Sequence, residues 1–143
     1  INLDYPSYEN ELEIVKTTTS DDKTELKHIL NSEQIVEFQH LVRKAPVTDN
    51  VVEYAVSLVH KMRPGSDQAS KMTNEYLEWG AGPRGSQTLI LGAKCHALLN
   101  GKYSPDIEDV KAIAIPALRH RIIRNFKAEA EHHSLEEIIS AHL

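Results

Sequence analysis

Trp79-Gly80-Ala81-Gly82-Pro83-Arg84-Gly85 is a glycine-rich run that leads directly into the longest clean helical pattern of the chain, Pro83 to about Leu99. The fixed φ of proline suits the first helical position and Gly82 can serve as N-cap, so the spacing predicts a helix that begins at Pro83. Arg84 then falls in its first turn. That is the unfavourable end for a cation, because the helix dipole carries partial positive charge there, at a cost of about 0.3–1 kcal/mol at low salt. Two readings of Arg84 stay open. Its guanidinium stands beside backbone N–H groups that already favour anions and grips a phosphate oxygen arriving from elsewhere, or it bends into solvent or toward an acidic neighbour such as Glu78.

Outward from this run the pattern is helix after helix. Leu89, Ile90, Ala93 and Ala97 face inward on the Pro83 helix, and Asn100-Gly101 offers a left-handed terminus. Ser104 as cap and Pro105 as first residue open another helix, with Ile107, Val110, Ile113 and Ala114 toward the core and Pro116 as its end. A connecting piece with Ile122, Ile123 and Phe126 leads to a last short helix capped by Ser134 and holding Leu135, Ile138 and Ile139.

Upstream, Tyr76 to Glu78 reads as a short extended piece, and residues 63–75 as a mobile loop that is polar from Ser66 to Asn74. Before it, Asp49 caps a helix whose Val51, Val52, Tyr54, Ala55, Leu58, Val59 and Met62 form a wide apolar face. Ser32 caps a helix carrying Ile35, Phe38, Leu41 and Val42 to about Lys44, and Pro46 stops it. Pro6, Glu9, Leu12, Ile14 and Val15 mark a short first helix, followed by a surface connection from Thr17 to Lys23. The expected fold class is all-α: a compact helical bundle around the Pro83 helix, with at most one or two very short strands.

The chain has 143 residues, enough for one domain with a single core. Its net charge of −5, from 21 acidic and 16 basic residues, argues against wholesale binding to a phosphate backbone. Basic residues gather late, at Arg119, His120, Arg121, Arg124 and Lys127, where they form a solvated face or meet one phosphate or an acidic partner. The single cysteine, Cys95, reads as a small buried filler, which fits a reducing cytoplasm. No signal peptide and no apolar run of about 20 residues is present, so no membrane partner is expected.

The chemistry of nucleotide hydrolysis needs a phosphate loop with Lys and Ser/Thr, and carboxylates for Mg²⁺ and water; the sequence has neither motif. Its eight histidines contain no i, i+4 pair, and His132-His133 do not share a helix face, so no metal site is expected. By itself the chain is expected to catalyse nothing.

Four stretches, in order, resemble the MoxR-type AAA+ ATPases. Tyr76 to Gly85 is similar to the family's G-A-S-P-R-A segment. The opening Leu3 to Val15, with its Tyr5-Pro6 and Glu11, resembles the segment joining the ATPase core to its helical lid. Tyr103 to Val110 is similar to V-T-P-E-D-V, and Pro116 to Ile122 to P-V-L-R-H-R-L. The chain departs at Gly82, usually Ser, and at Gly85, usually Ala, and both changes weaken a helix start by under about 1 kcal/mol.

The resemblance implies that residues 1–143 are a single helical lid, with 1–20 as hinge and first helix from an ATPase core. Ile1 in place of Met adds the expectation of a piece cut from a longer polypeptide. In such a lid Arg84 is sensor 2, reaching the γ-phosphate of ATP, with Pro83 and Gly82 beside it and Ile14 near the adenine or simply packing the first helix. ATP and Mg²⁺ are then bound mainly by the core, and the chain alone holds no cofactor. The implied partners are that core, neighbouring subunits of a ring, often a hexamer, and proteins with von Willebrand factor A domains, in chaperone-like work; no nucleic acid is implied. The competing reading is a free-standing helical protein- or DNA-interaction module. A helix-turn-helix would require a polar face on its recognition helix, and beyond Gln87 and Lys94 the Pro83 helix offers little.

Overall fold

The computed structural model describes residues 3–21 and 26–143, which fall into two units, Ile1–Val36 and Glu37–Leu143. In the first unit, α1 (Tyr8–Thr18) starts at Ser7, whose hydroxyl accepts the Asn10 N–H at 3.3 Å. The helix runs beyond the expected start of the loop at Thr17. Hydroxyls of Thr17, Thr18 and Thr19 donate back to the carbonyls of Glu13, Ile14 and Val15 at 2.8, 2.7 and 2.6 Å, so three β-branched residues close the last turn instead of breaking it. Residues 22 and 23 of the expected surface connection lie outside the described residues. No residue of α1 is buried.

α2 (Ser32–Lys44) crosses from the first unit into the second. Its cap is Asn31 and not Ser32: Asn31 Oδ1 accepts the Gln34 N–H at 2.8 Å, and Gln34 Oε1 accepts the Asn31 N–H at 3.0 Å. This reciprocal pair satisfies two donors, which the single hydroxyl of Ser32 would not.

In the second unit, α3 (Asp49–Lys61) begins one residue after Thr48, so Asp49 is the first helical residue and not the cap. Val51, Ala55, Leu58 and Val59 are buried, and Met62 closes the same face. The stretch expected as a loop contains α4 (Lys71–Tyr76), nucleated by the Ser70 hydroxyl, which accepts the Thr73 N–H at 3.0 Å. His142 secures this turn. Its Nδ1–H donates to the Ile138 carbonyl at 2.6 Å, leaving Nε2 to accept from the Ser70 hydroxyl at 2.7 Å. A polar sequence thus becomes helix through contacts made 69–72 residues away.

β1 (Leu77–Trp79) leads to Gly80, where a Cβ would lie 2.7 Å from Arg63 Cα and still closer to the Met62 carbonyl oxygen. Only glycine fits there. The Arg63 Nε–H donates to the Ala81 carbonyl at 2.7 Å across the same contact. α5 (Pro83–Leu99) then starts at Gly82 as expected. It ends in a Schellman turn, with Gly101 at φ 72° and the Gly101 and Lys102 N–H groups bonded to the Leu98 and Ala97 carbonyls.

α6 (Ile107–Leu118) packs along α5, and Gly92 lets the Ile113 side chain approach the α5 backbone. Its cap is Asp106, not Ser104, which donates instead to the Pro46 carbonyl at 3.2 Å. Asp106 and Asp109 exchange side-chain and backbone bonds at 2.9 and 3.1 Å. Pro116 does not end the helix. It removes one donor near the C-terminus, and burial of Ala117 and Leu118 keeps the last turn helical.

β2 (Ile123–Arg124) pairs antiparallel with β1, Leu77 opposite Arg124 and Trp79 opposite Ile123, with an irregularity between. α7 (Phe126–Ala130) is capped by Asn125, and α8 (Leu135–Ser140) by Ser134 with Glu137 as its reciprocal partner. The core of this unit joins Leu58, Val59 and Met62 of α3 and its end, Leu89 and Ala93 of α5, Val110, Ala114 and Leu118 of α6, and Ile138 and Ile139 of α8. Among the described residues the chain is all-α with one two-stranded sheet, as its sequence predicts. Among the described residues, no helix is long and apolar enough to cross a membrane. Cys95 is half-buried and not the buried filler expected, because Ala93 and Ala97 take the inward face of α5.

Candidate functional site

The start of α5 is held from three sides. Gly85 packs its backbone into the core, where an added Cβ would stand 3.0 Å from Ala81 Cβ and 3.4 Å from Leu118 Cδ2. The glycine that weakens the helix start on propensity alone therefore allows close packing in the fold. Pro83 has no N–H, and the Gly85 N–H donates to the Gly82 carbonyl at 2.8 Å. The principal attraction for an anion is consequently the Arg84 side chain.

Arg84 is exposed and borders a cavity of about 850 Å³ lined by Gly82, Pro83, Arg84, Gly85, Gln87 and Arg121. Among the described residues, no carboxylate lies within 4 Å of the Arg84 guanidinium, so the expected alternative of a pair with Glu78 is not formed. Three of the four predicted site residues, Gly82, Pro83 and Arg84, thus share one wall. Ile14 belongs to the other unit, on α1, where it is half-exposed.

Sequence reasoning missed Arg121 as a member of this cavity. Its Nη2 donates to Thr88 Oγ1 at 3.1 Å, and the Thr88 hydroxyl donates to the Arg84 carbonyl at 2.8 Å, which connects the two arginines through one turn of α5. The P-L-R-H-R resemblance draws attention to Arg121, but nothing in the spacing from Arg84 to Arg121 brings them together. Three other basic residues of the late cluster are engaged elsewhere. Arg119 pairs with Glu136 at 3.2 Å, Lys127 pairs with Glu75, and Arg124 donates to the His133 carbonyl at 2.6 Å. Lys127 holds the Glu75 carboxyl below its usual range by hydrogen bonding and charge.

Among the described residues, no group of three or more His, Cys, Asp or Glu side chains is placed to hold a metal ion. His132 and His133 lie in the turn after α7, with His132 at φ 60°. The arrangement at α5 sets two arginine side chains, Arg84 and Arg121, on one cavity.

The sequence profile of the AAA lid domain matches residues 69–141, a span that contains both Arg84 and Arg121. The chain belongs to the AAA lid domain family. This chain is similar along nearly its whole length to chaperone MoxR1 of Mycobacterium tuberculosis, with 29% identity over 140 residues, 98% of this chain and 37% of that protein. YeaC of Bacillus subtilis, a protein described as uncharacterised, is 26% identical over 140 residues, 97% of this chain and 41% of its own length. The crystal structure of a candidate ATPase from Cytophaga hutchinsonii superposes with a TM-score of 0.81 and 28% identity, covering 99% of the lid and 43% of that chain. The MoxR-type resemblance read from the four sequence stretches therefore extends over the lid as a whole. The lid spans well under half the length of each of these relatives.

Proposed function

We propose that this lid closes over ATP held by an AAA+ ATPase core, with Arg84 as the sensor 2 residue that contacts the γ-phosphate and releases the lid when that phosphate is lost. The observation that carries the reading is an exposed arginine on the wall of an open cavity at the start of α5, with no carboxylate among the described residues to neutralise it. An unneutralised guanidinium at the positive end of a helix is unfavourable without an anion and favourable with one. Its contribution to phosphoryl transfer is electrostatic and requires no proton transfer.

Gly82 and Pro83 shape the approach to Arg84, and Ile14 is assigned to the adenine side. Mg²⁺ is assigned, with ATP, mainly to the ATPase core. The parent protein is proposed to be an ATP hydrolase of the cytoplasm that works as a hexameric ring and couples hydrolysis to chaperone-like action on partners that include von Willebrand factor A domain proteins. The similarity to chaperone MoxR1 supports the chaperone-like part of this reading.

The test is Arg84→Ala in the complete gene product. ATP turnover is expected to fall by about 10²-fold or more, the loss typical of a removed charge-stabilising donor, while the thermal melt stays in place. Unchanged turnover would remove the sensor assignment.

A further inference from the structure

We propose that Arg121 is a second anion-binding arginine of the Arg84 cavity, parked on neutral acceptors in this structure and drawn into the cavity by a phosphate chain. The inference rests on the reading of Arg84 above and extends it to a residue on a different segment. Arg121 follows α6, its backbone N–H fixed to the Leu118 carbonyl at 2.8 Å, so its side chain is presented to the start of α5 by the core and not by a flexible loop.

The parked state is incomplete. Nη2 has Thr88 Oγ1, Nη1 has His120 Nε2, and the buried Nε–H has no acceptor. A guanidinium is permanently charged and offers five donors in a planar fork. Here it meets only neutral partners and leaves one buried donor unmade, an arrangement that native structures ordinarily avoid. Arg119, Arg124 and Lys127 of the same cluster have each found a carboxylate or a carbonyl, so the shortage is particular to Arg121.

Arg84 and Arg121 also border one cavity, with no carboxylate within 4 Å of either among the described residues. Two like charges facing a shared space repel, and an anion between them offsets that repulsion more strongly the greater its charge. A phosphate chain supplies that charge, and it replaces neutral acceptors by charge-assisted and bidentate ones. The ligand class is therefore a tri- or diphosphate group in preference to a single carboxylate.

The test uses the isotope-labelled 143-residue chain titrated with tripolyphosphate and, separately, with inorganic phosphate and ATP, following the arginine Nε–H resonances by NMR. Tripolyphosphate and ATP are expected to move the Arg84 and Arg121 signals together, with inorganic phosphate at least tenfold weaker. Arg121→Gln, checked for its fold by a thermal melt, is expected to weaken tripolyphosphate binding about tenfold, with Arg121→Lys recovering part of the loss. A response at Arg84 alone, or full binding by Arg121→Gln, would overturn the role of Arg121 and leave Arg84 standing. No response at Arg121 up to saturating tripolyphosphate would overturn its role whatever Arg84 does, while the Arg84 reading is decided separately by turnover of Arg84→Ala in the complete gene product. An equal response to inorganic phosphate would overturn the assignment to a phosphate chain.

Discussion

Replacing Asp109 by Asn isolates the electrostatic part of the α5–α6 corner. Asp109 is fully buried; its Oδ2 accepts the Asp106 N–H at 2.9 Å, its Oδ1 accepts from His96 Nδ1–H at 2.7 Å, and Lys102 Nζ lies 3.1 and 3.2 Å from its two oxygens. Burial alone would raise its pKa, but the Asp106 N–H, His96 and Lys102 outweigh burial and hold the carboxyl at about 2 against an ordinary 3.8. At about 1.4 kcal/mol per pH unit, that difference corresponds to about 2 kcal/mol of stability at neutral pH. Asn keeps an acceptor for the Asp106 N–H and loses the charge. Lys102 remains partly solvated and keeps Asp106 at 3.0 Å, so the loss should stay near about 2 kcal/mol and below the 3–5 kcal/mol of a stripped buried pair.

The pH dependence has a definite sign. A depressed carboxyl pKa stabilises the fold above the unfolded value, so this contribution is complete above about pH 4 and disappears as the pH falls toward 2. Urea titrations of both proteins, followed by helical circular dichroism at pH 7, 4 and 2, should show a gap of about 2 kcal/mol that closes over the last two pH units. A gap independent of pH, or a variant as stable as the parent at pH 7, would refute the assignment of this charge.

Three further outcomes are expected. Arg84→Ala in the 143-residue chain should change stability by less than about 0.5 kcal/mol in thermal melts, because the side chain is exposed and without a carboxylate partner among the described residues. Gly92→Ala should destabilise by about 1–3 kcal/mol, since the new Cβ would stand 2.5 Å from Ile113 Cγ2, and Ile113→Ala should restore part of the loss in a double-mutant cycle. Gly101→Ala should cost about 1 kcal/mol by the same melts, from its φ of 72° alone, because an added Cβ there meets no atom within 4 Å.

Much of the helical order was legible because it depends on local signals. Pro83 after Gly82, the Asn100-Gly101 terminus and Ser134 before Leu135 each act within one turn, and each stands where the sequence puts it. The misplaced caps share another cause. Ser32, Asp49 and Ser104 are good capping residues, but a neighbouring residue takes the position, and for α2 and α6 the neighbour forms a reciprocal pair. α4 was illegible because its cap is secured by His142, far along the chain. Arg84 could be singled out from its own helix. Arg121 could not, because only the packing of α5 against α6 brings it to the same cavity.

Gly80 and Arg63 have a mechanical consequence. With the backbone of Gly80 seated against Met62 and Arg63, and Arg63 bonded to Ala81, the end of α3 and the start of α5 are joined by short, stiff contacts with little slack. If Arg84 is drawn by a phosphate as proposed, the pull is expected to load α3 and α5 together rather than unwind one helix terminus, gearing the displacement of one guanidinium to the helices on which the core of this unit is built.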